Sequence, residues 1–108
     1  MTTSPDLIEC AIAWSEAGRS VALATVIETW GSAPQPVGSR LLIDNDGNFE
    51  GSVSGGCVEG AVITEAIDVI RTRKPTTLEF GVADETAWNV GLACGGRIRI
   101  YVEPIEIN

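Results

Sequence analysis

The stretch SRLLIDNDGNFEGSVSGGCVEGAVITEAIDVIRT, Ser39 to Thr72, changes its hydrophobic period part-way along. Its first half, Ser39 to Asp44 and Asn48 to Val53, flanks Asn45-Asp46-Gly47. An Asp-Gly step between two short runs marks a hairpin, because both residues tolerate the positive φ angles of a tight turn. From about Val58 to Thr72 the residues Val62, Ile63, Ala66, Ile67 and Ile70 recur at helical spacing, and Pro75 ends the segment. A hairpin that feeds a helix through a pair of glycines implies a sheet with a helix laid on it.

Working outward toward the N-terminus, Trp30 to Gly38 (WGSAPQPVG) has prolines that remove backbone donors and glycines that permit positive φ, so it reads as an ordered loop. Before it, Val21 to Thr29 is rich in β-branched residues and reads as a buried strand. Ser4-Pro5-Asp6 has the pattern of an N-cap, a first-turn proline and an early carboxylate. Leu7, Ala11 and Trp14, with Ile8 and Ile12, follow at helical spacing until Gly18 supplies a stop. Toward the C-terminus, Thr76 to Gly81 is a short strand, Val82 to Gly96 an irregular connection, and Gly96 to Glu103 a final alternating strand. In that strand Arg97, Arg99 and Tyr101 share one face, opposite Ile98, Ile100 and Val102. The expected fold is α/β or α+β, a small mixed β-sheet sandwich with two main helices in a single domain spanning residues 1–108.

Composition narrows the function. The 108 residues are 44% hydrophobic, enough for one core. No stretch approaches the roughly 20 apolar residues that cross a bilayer, and the start is not basic, so the expectation is a cytoplasmic protein without membrane contact. Seven basic against fifteen acidic residues give a formal charge of −8, which disfavours nucleic acid as a partner. Cys10, Cys57 and Cys94 are odd in number, form no CxxC pair, and have no histidine to complete a zinc site. They suit a reducing compartment, with Cys10 read as core.

The chemistry concentrates in glycine-flanked cysteines. Gly51 to Gly60 (GSVSGGCVEG) runs from a strand through small residues into a helix, a junction that points backbone N–H groups and the positive helix end at one place and suits a phosphate. Cys57 lies at that start, where thiolate is favoured over thiol. Ser54, Gly55, Gly56 and Cys57 are therefore candidate ligand-binding residues, with Ser32 and Ser54 as hydroxyl donors. Glu59 is a candidate proton acceptor or metal ligand, or else a first-turn carboxylate that satisfies the helix N-terminus. Gly91 to Arg97 (GLACGGR) repeats the pattern: Cys94, Gly95, Gly96 and Arg97 combine a thiol, a flexible backbone and a guanidinium able to hold a soft metal or sulfur group beside an anionic oxygen. Either string also reads as a tight turn with a buried cysteine. Trp30 and Trp88 can stack on a planar ring or close the core.

The motifs VIETWGSAPQPVGSRLLIDNDGNFEGSVSGGCVEGAV, from Val26, and FGVADETAWNVGLACGGRIRIYVEP resemble the N-terminal domain of the xanthine dehydrogenase accessory factor family, XdhC/CoxI. The resemblance implies binding of the molybdenum cofactor (molybdopterin) as cargo, and help in its sulfuration and insertion into a molybdenum hydroxylase such as xanthine dehydrogenase or carbon monoxide dehydrogenase. It implies the pyranopterin phosphate for the Ser54 to Cys57 helix start and the molybdenum for Cys57 and Cys94. The implied partners are the hydroxylase apoenzyme and a cysteine desulfurase. Leu41 stands where many members have methionine, and the Rossmann-like C-terminal domain of most members is expected to be absent or supplied by another chain.

Three functional readings follow. The first is a cofactor carrier and insertion chaperone rather than an enzyme. The second is a thiol-based enzyme or sulfur carrier that uses Cys57, although no histidine is present as its base. The third is a non-catalytic interaction module with architectural glycine loops. A homodimer is expected, because so small a domain gains core by association.

Overall fold

β-branched and aliphatic runs build the sheet, and the computed structural model describes it through residues 7–30, 36–53, 58–81 and 97–105. In chain order the elements are α1 (Leu7–Glu16), β1 (Val21–Trp30), β2 (Arg40–Asp44), β3 (Phe49–Gly51), α2 (Glu59–Thr72), β4 (Thr76–Gly81) and β5 (Arg97–Ile105). The strands form one sheet in the order β3-β2-β1-β5-β4, and all its described pairings are antiparallel. Of the expected classes the fold is thus α+β, with both helices as expected. Among the described residues no helix is long and apolar enough to cross a membrane.

Period-two alternation gives the sheet two apolar faces. Ala22, Ala24 and Val26 of β1, Leu41 and Ile43 of β2, and Ile98, Ile100 and Val102 of β5 face α2 and are all buried against Val62, Ala66, Val69 and Ile70. The opposite face offers Val21, Leu23 and Leu42, with Ile105, and α1 covers these with Ala11, Leu7, Cys10 and Trp14. This placement corrects part of the expected helix face: Ile8 and Ile12 point outward, 41% and 38% exposed. Cys10 is half-buried against the α1 cluster, as expected for a core residue.

Local signals explain the boundaries. Gly18 and Gly47 both adopt φ of +88° after α1 and in the β2–β3 turn, where a left-handed residue lets the chain reverse. Helix α2 stops before Pro75: Arg73 takes the left-handed conformation at φ 63° and its N–H donates to the Val69 carbonyl at 2.8 Å. In β1 the register slips between Val26 and Glu28, leaving Ile27 as an extra residue. That bulge turns Glu28 off the α2 face and sets it opposite Arg99, so a carboxylate that strict alternation would bury instead meets a guanidinium.

Candidate functional site

Antiparallel registry decides where the chain's irregular segments emerge. Trp30, the last residue of β1, pairs with Arg97, the first of β5, and Arg97 pairs with Gly81, the last of β4. These three strand ends stand abreast, neighbours about 4.8 Å apart. From them the chain enters 31–35 and 82–96, the segments that hold the first loop and the Cys94 motif. β3 runs in the direction of β4 and leaves toward the same end after Gly51, and α2 begins there at Glu59. The β2–β3 turn and Ile105 lie at the other end, level with Val21.

The end is stepped. β2 begins at Arg40 opposite Thr25, while β1 continues to Trp30, an overhang of roughly 15 Å at about 3.3 Å per residue. The shoulder of the step is made by β2, β3 and the start of α2. The residues that flank the Ser54 to Cys57 segment, Val53 and Val58, are both buried in the main core. Both feet of that segment are therefore fixed by apolar packing.

A buried carboxylate adds a second tie. Glu59, 8% exposed at the first position of α2, accepts hydrogen bonds on Oε2 from Ser52 Oγ at 2.8 Å and from the Val53 N–H at 2.9 Å. The chain reaches this arrangement through Gly51, whose φ of +95° turns it so that the Ser52 N–H donates to the Arg40 carbonyl at 3.0 Å. Val58 caps α2 without a side-chain hydrogen bond.

On the taller part of the step lies an ion-pair ladder on the face away from α2. Arg99 bridges Glu28 of β1 and Glu79 of β4, the latter at 3.3 Å, and Arg97 meets the same Glu79 oxygen at 3.2 Å. Arg97, the guanidinium expected to hold an anionic oxygen, is thus already engaged, and an incoming anion competes with Glu79 for it. Arg97, Arg99 and Tyr101 do share the face expected of them, opposite buried Ile98, Ile100 and Val102.

Of the residues singled out in the sequence, the structure places Glu59 and Arg97. Ser32, Ser54, Gly55, Gly56, Cys57, Cys94, Gly95 and Gly96 lie outside the described residues, as do Trp88 and the Trp30 side chain. Sequence reasoning missed Ser52, Glu28 and Glu79. Glu79 had a signal, since it stands between apolar Leu78 and Phe80 on β4 and so points to the face opposite theirs.

The chain is thus an α+β sandwich whose glycine-bearing connections leave the sheet from one stepped end. Residues 14–81 match the family model described as the XdhC and CoxI family, and the chain belongs to that family. It is 31% identical over 90 residues to the molybdenum cofactor insertion chaperone PaoD of Escherichia coli, covering 82% of this chain and 28% of that protein. It is 33% identical over 86 residues to a Bacillus subtilis protein named as a probable xanthine dehydrogenase subunit, covering 77% of this chain and 26% of that one. A crystal structure of a xanthine dehydrogenase from Bacillus halodurans superposes with a TM-score of 0.76 at 27% identity, over 93% of this chain and 30% of that chain. The chain thus spans less than a third of the length of these relatives.

Proposed function

We propose that this chain carries the molybdenum cofactor during maturation of a molybdenum hydroxylase, binding it as cargo and passing it to the apoenzyme without turnover of its own. The observation that carries the reading is the common origin of the three glycine-bearing segments at one end of the sheet, in a chain of the XdhC and CoxI family. The name of PaoD, a molybdenum cofactor insertion chaperone, supports the same cargo. In this reading backbone amides of Ser54 to Cys57 and the hydroxyls of Ser32 and Ser54 bind the phosphate, where the start of α2 adds its positive end. The thiolates of Cys57 and Cys94 take the molybdenum, a soft-ligand role that fits their type. Arg97, beside Gly95 and Gly96, meets an anionic oxygen at the entry to β5. Closed apolar packing at Val53 and Val58 supports such a role, because a loop with fixed feet loses little conformational entropy on binding.

The purified chain, mixed with cofactor released from a molybdenum hydroxylase, is expected to bind it stoichiometrically. The Cys57→Ala/Cys94→Ala variant is expected to bind at least about tenfold more weakly, the loss of roughly 1.4 kcal/mol or more. Equal binding by both proteins, in ultrafiltration followed by absorption spectroscopy, refutes the proposal.

A further inference from the structure

Glu59 joins the exit of β3 to the entry of α2 across the Ser54 to Cys57 segment. A glutamate at the start of a helix ordinarily sits in solvent, where it favours the helix dipole at no desolvation cost. Here it is buried, and one oxygen accepts from both a side-chain hydroxyl at 2.8 Å and a buried backbone N–H at 2.9 Å. Burying a carboxylate is costly unless hydrogen bonds and a local positive field compensate it. Two donors and the start of α2 supply that compensation.

From this we infer that Glu59 is a positioning residue: its carboxylate locks the two feet of the Ser54 to Cys57 segment at fixed separation, and so sets the geometry in which that segment meets its ligand. The inference deepens the function proposed above and rests on it for the ligand. Its geometric part stands on its own. Val53 and Val58 hold the feet by packing, whose driving force is non-directional. The two hydrogen bonds to Glu59 fix direction, and the turn at Gly51 delivers Ser52 and Val53 to them. Glu59 therefore acts through the segment rather than on the cargo.

The test uses the full chain with Glu59→Ala and Glu59→Gln, both held well below their melting points. Alanine removes the acceptor. Glutamine keeps an amide oxygen able to receive both donors, without the charge. Glu59→Ala is expected to speed amide hydrogen exchange in the peptide over residues 52–58 at least roughly tenfold, the loss that one hydrogen bond to a charged group carries, with exchange in the β2–β3 turn unchanged. Binding of released molybdenum cofactor should weaken by at least about the same factor, and Glu59→Gln should restore both readouts to near the parent values. Uniform acceleration across the chain, unchanged exchange at 52–58, or unchanged cofactor affinity of folded Glu59→Ala overturns the inference. If the parent chain binds no cofactor, the proposed function falls, and the exchange pattern alone then decides whether Glu59 locks the junction.

Discussion

Gly51→Ala is expected to destabilise the chain by about 2–4 kcal/mol, although Gly51 is solvent-exposed at the end of a three-residue edge strand. A Cβ at this position would lie 2.4 Å from the Arg40 carbonyl oxygen and 3.2 Å from Leu7 Cδ1. The first neighbour is backbone, locked by the Ser52 N–H at 3.0 Å, and cannot swing aside as a side-chain tip would. The φ of +95° adds the strain that any L side chain meets in that region. Relief requires the chain to leave Gly51 in another direction, which breaks the bond from Ser52 to Arg40 and shifts Ser52 and Val53 away from Glu59. Chemical denaturation followed by tryptophan fluorescence reads the loss. Gly60→Ala is the internal control: a Cβ there meets nothing within 4 Å in the first turn of α2, so stability should hold or rise by about 0.5 kcal/mol. A Gly51→Ala variant as stable as the parent would mean that the β3 exit is not fixed as described.

The hairpin, both helices and β4 could be read from sequence because each carries its signal locally. Gly47 and Gly18 sit where positive φ is needed, and Thr76 to Gly81 alternates between flanking breakers. Helix α1 shows where local reading stops. Leu7-Ala11-Trp14 and Ile8-Ile12 are both apolar rows at helical spacing, and only the sheet face formed by Val21, Leu23, Leu42 and Ile105 selects the first. The bulge at Ile27 has no glycine to announce it and arises from the pairing of β1 with β5. Sheet order is equally non-local: that β5 returns beside β1 depends on contacts made across the whole chain.

The candidate site divides in the same way. Alternating antiparallel strands send every second connection to one end, so the common origin of the glycine-bearing segments was inferable from element order. That Glu59 is held by Ser52 and Val53 was not, because a carboxylate two residues past a cysteine carries no mark that separates a ligand from an anchor. Arg97 read as an anion ligand, and the carboxylates that engage it and Arg99, Glu28 and Glu79, arrive from two other strands.

Asp44→Ala is expected to cost about 2–4 kcal/mol and, for a chain of this size, to lower the melting temperature by roughly 10–20 °C. Asp44 is fully buried at the end of β2 farthest from the stepped end, and its carboxylate organises the whole β2–β3 turn. Oδ1 accepts from the N–H groups of Asp46 at 2.9 Å and Asn48 at 2.8 Å, while Oδ2 accepts from Asn48 Nδ2 at 2.9 Å and faces Arg19 at 3.4 Å. Arg19 in turn lies 5.0 Å from the Trp14 ring centroid, which ties the end of α1 to the same turn. Burial pushes the Asp44 carboxyl up, but the bonds from the Asn48 side chain, the two backbone amides and Arg19 outweigh it and hold the group below the ordinary aspartate value. The sign follows from linkage: a folded-state pKa below the unfolded one gives stability that is complete above about pH 4 and is lost as pH falls through the folded value. The parent chain should therefore lose stability on acidification below about pH 4 more steeply than Asp44→Asn, in which this group no longer titrates. Parallel acid profiles for the two proteins would assign the acid loss to other carboxylates. Because Asp44 lies at the opposite end of β2 from Arg40, whose carbonyl holds Ser52, folded Asp44→Asn should keep the hydrogen-exchange protection of residues 52–58, which separates a change in global stability from a change at the site.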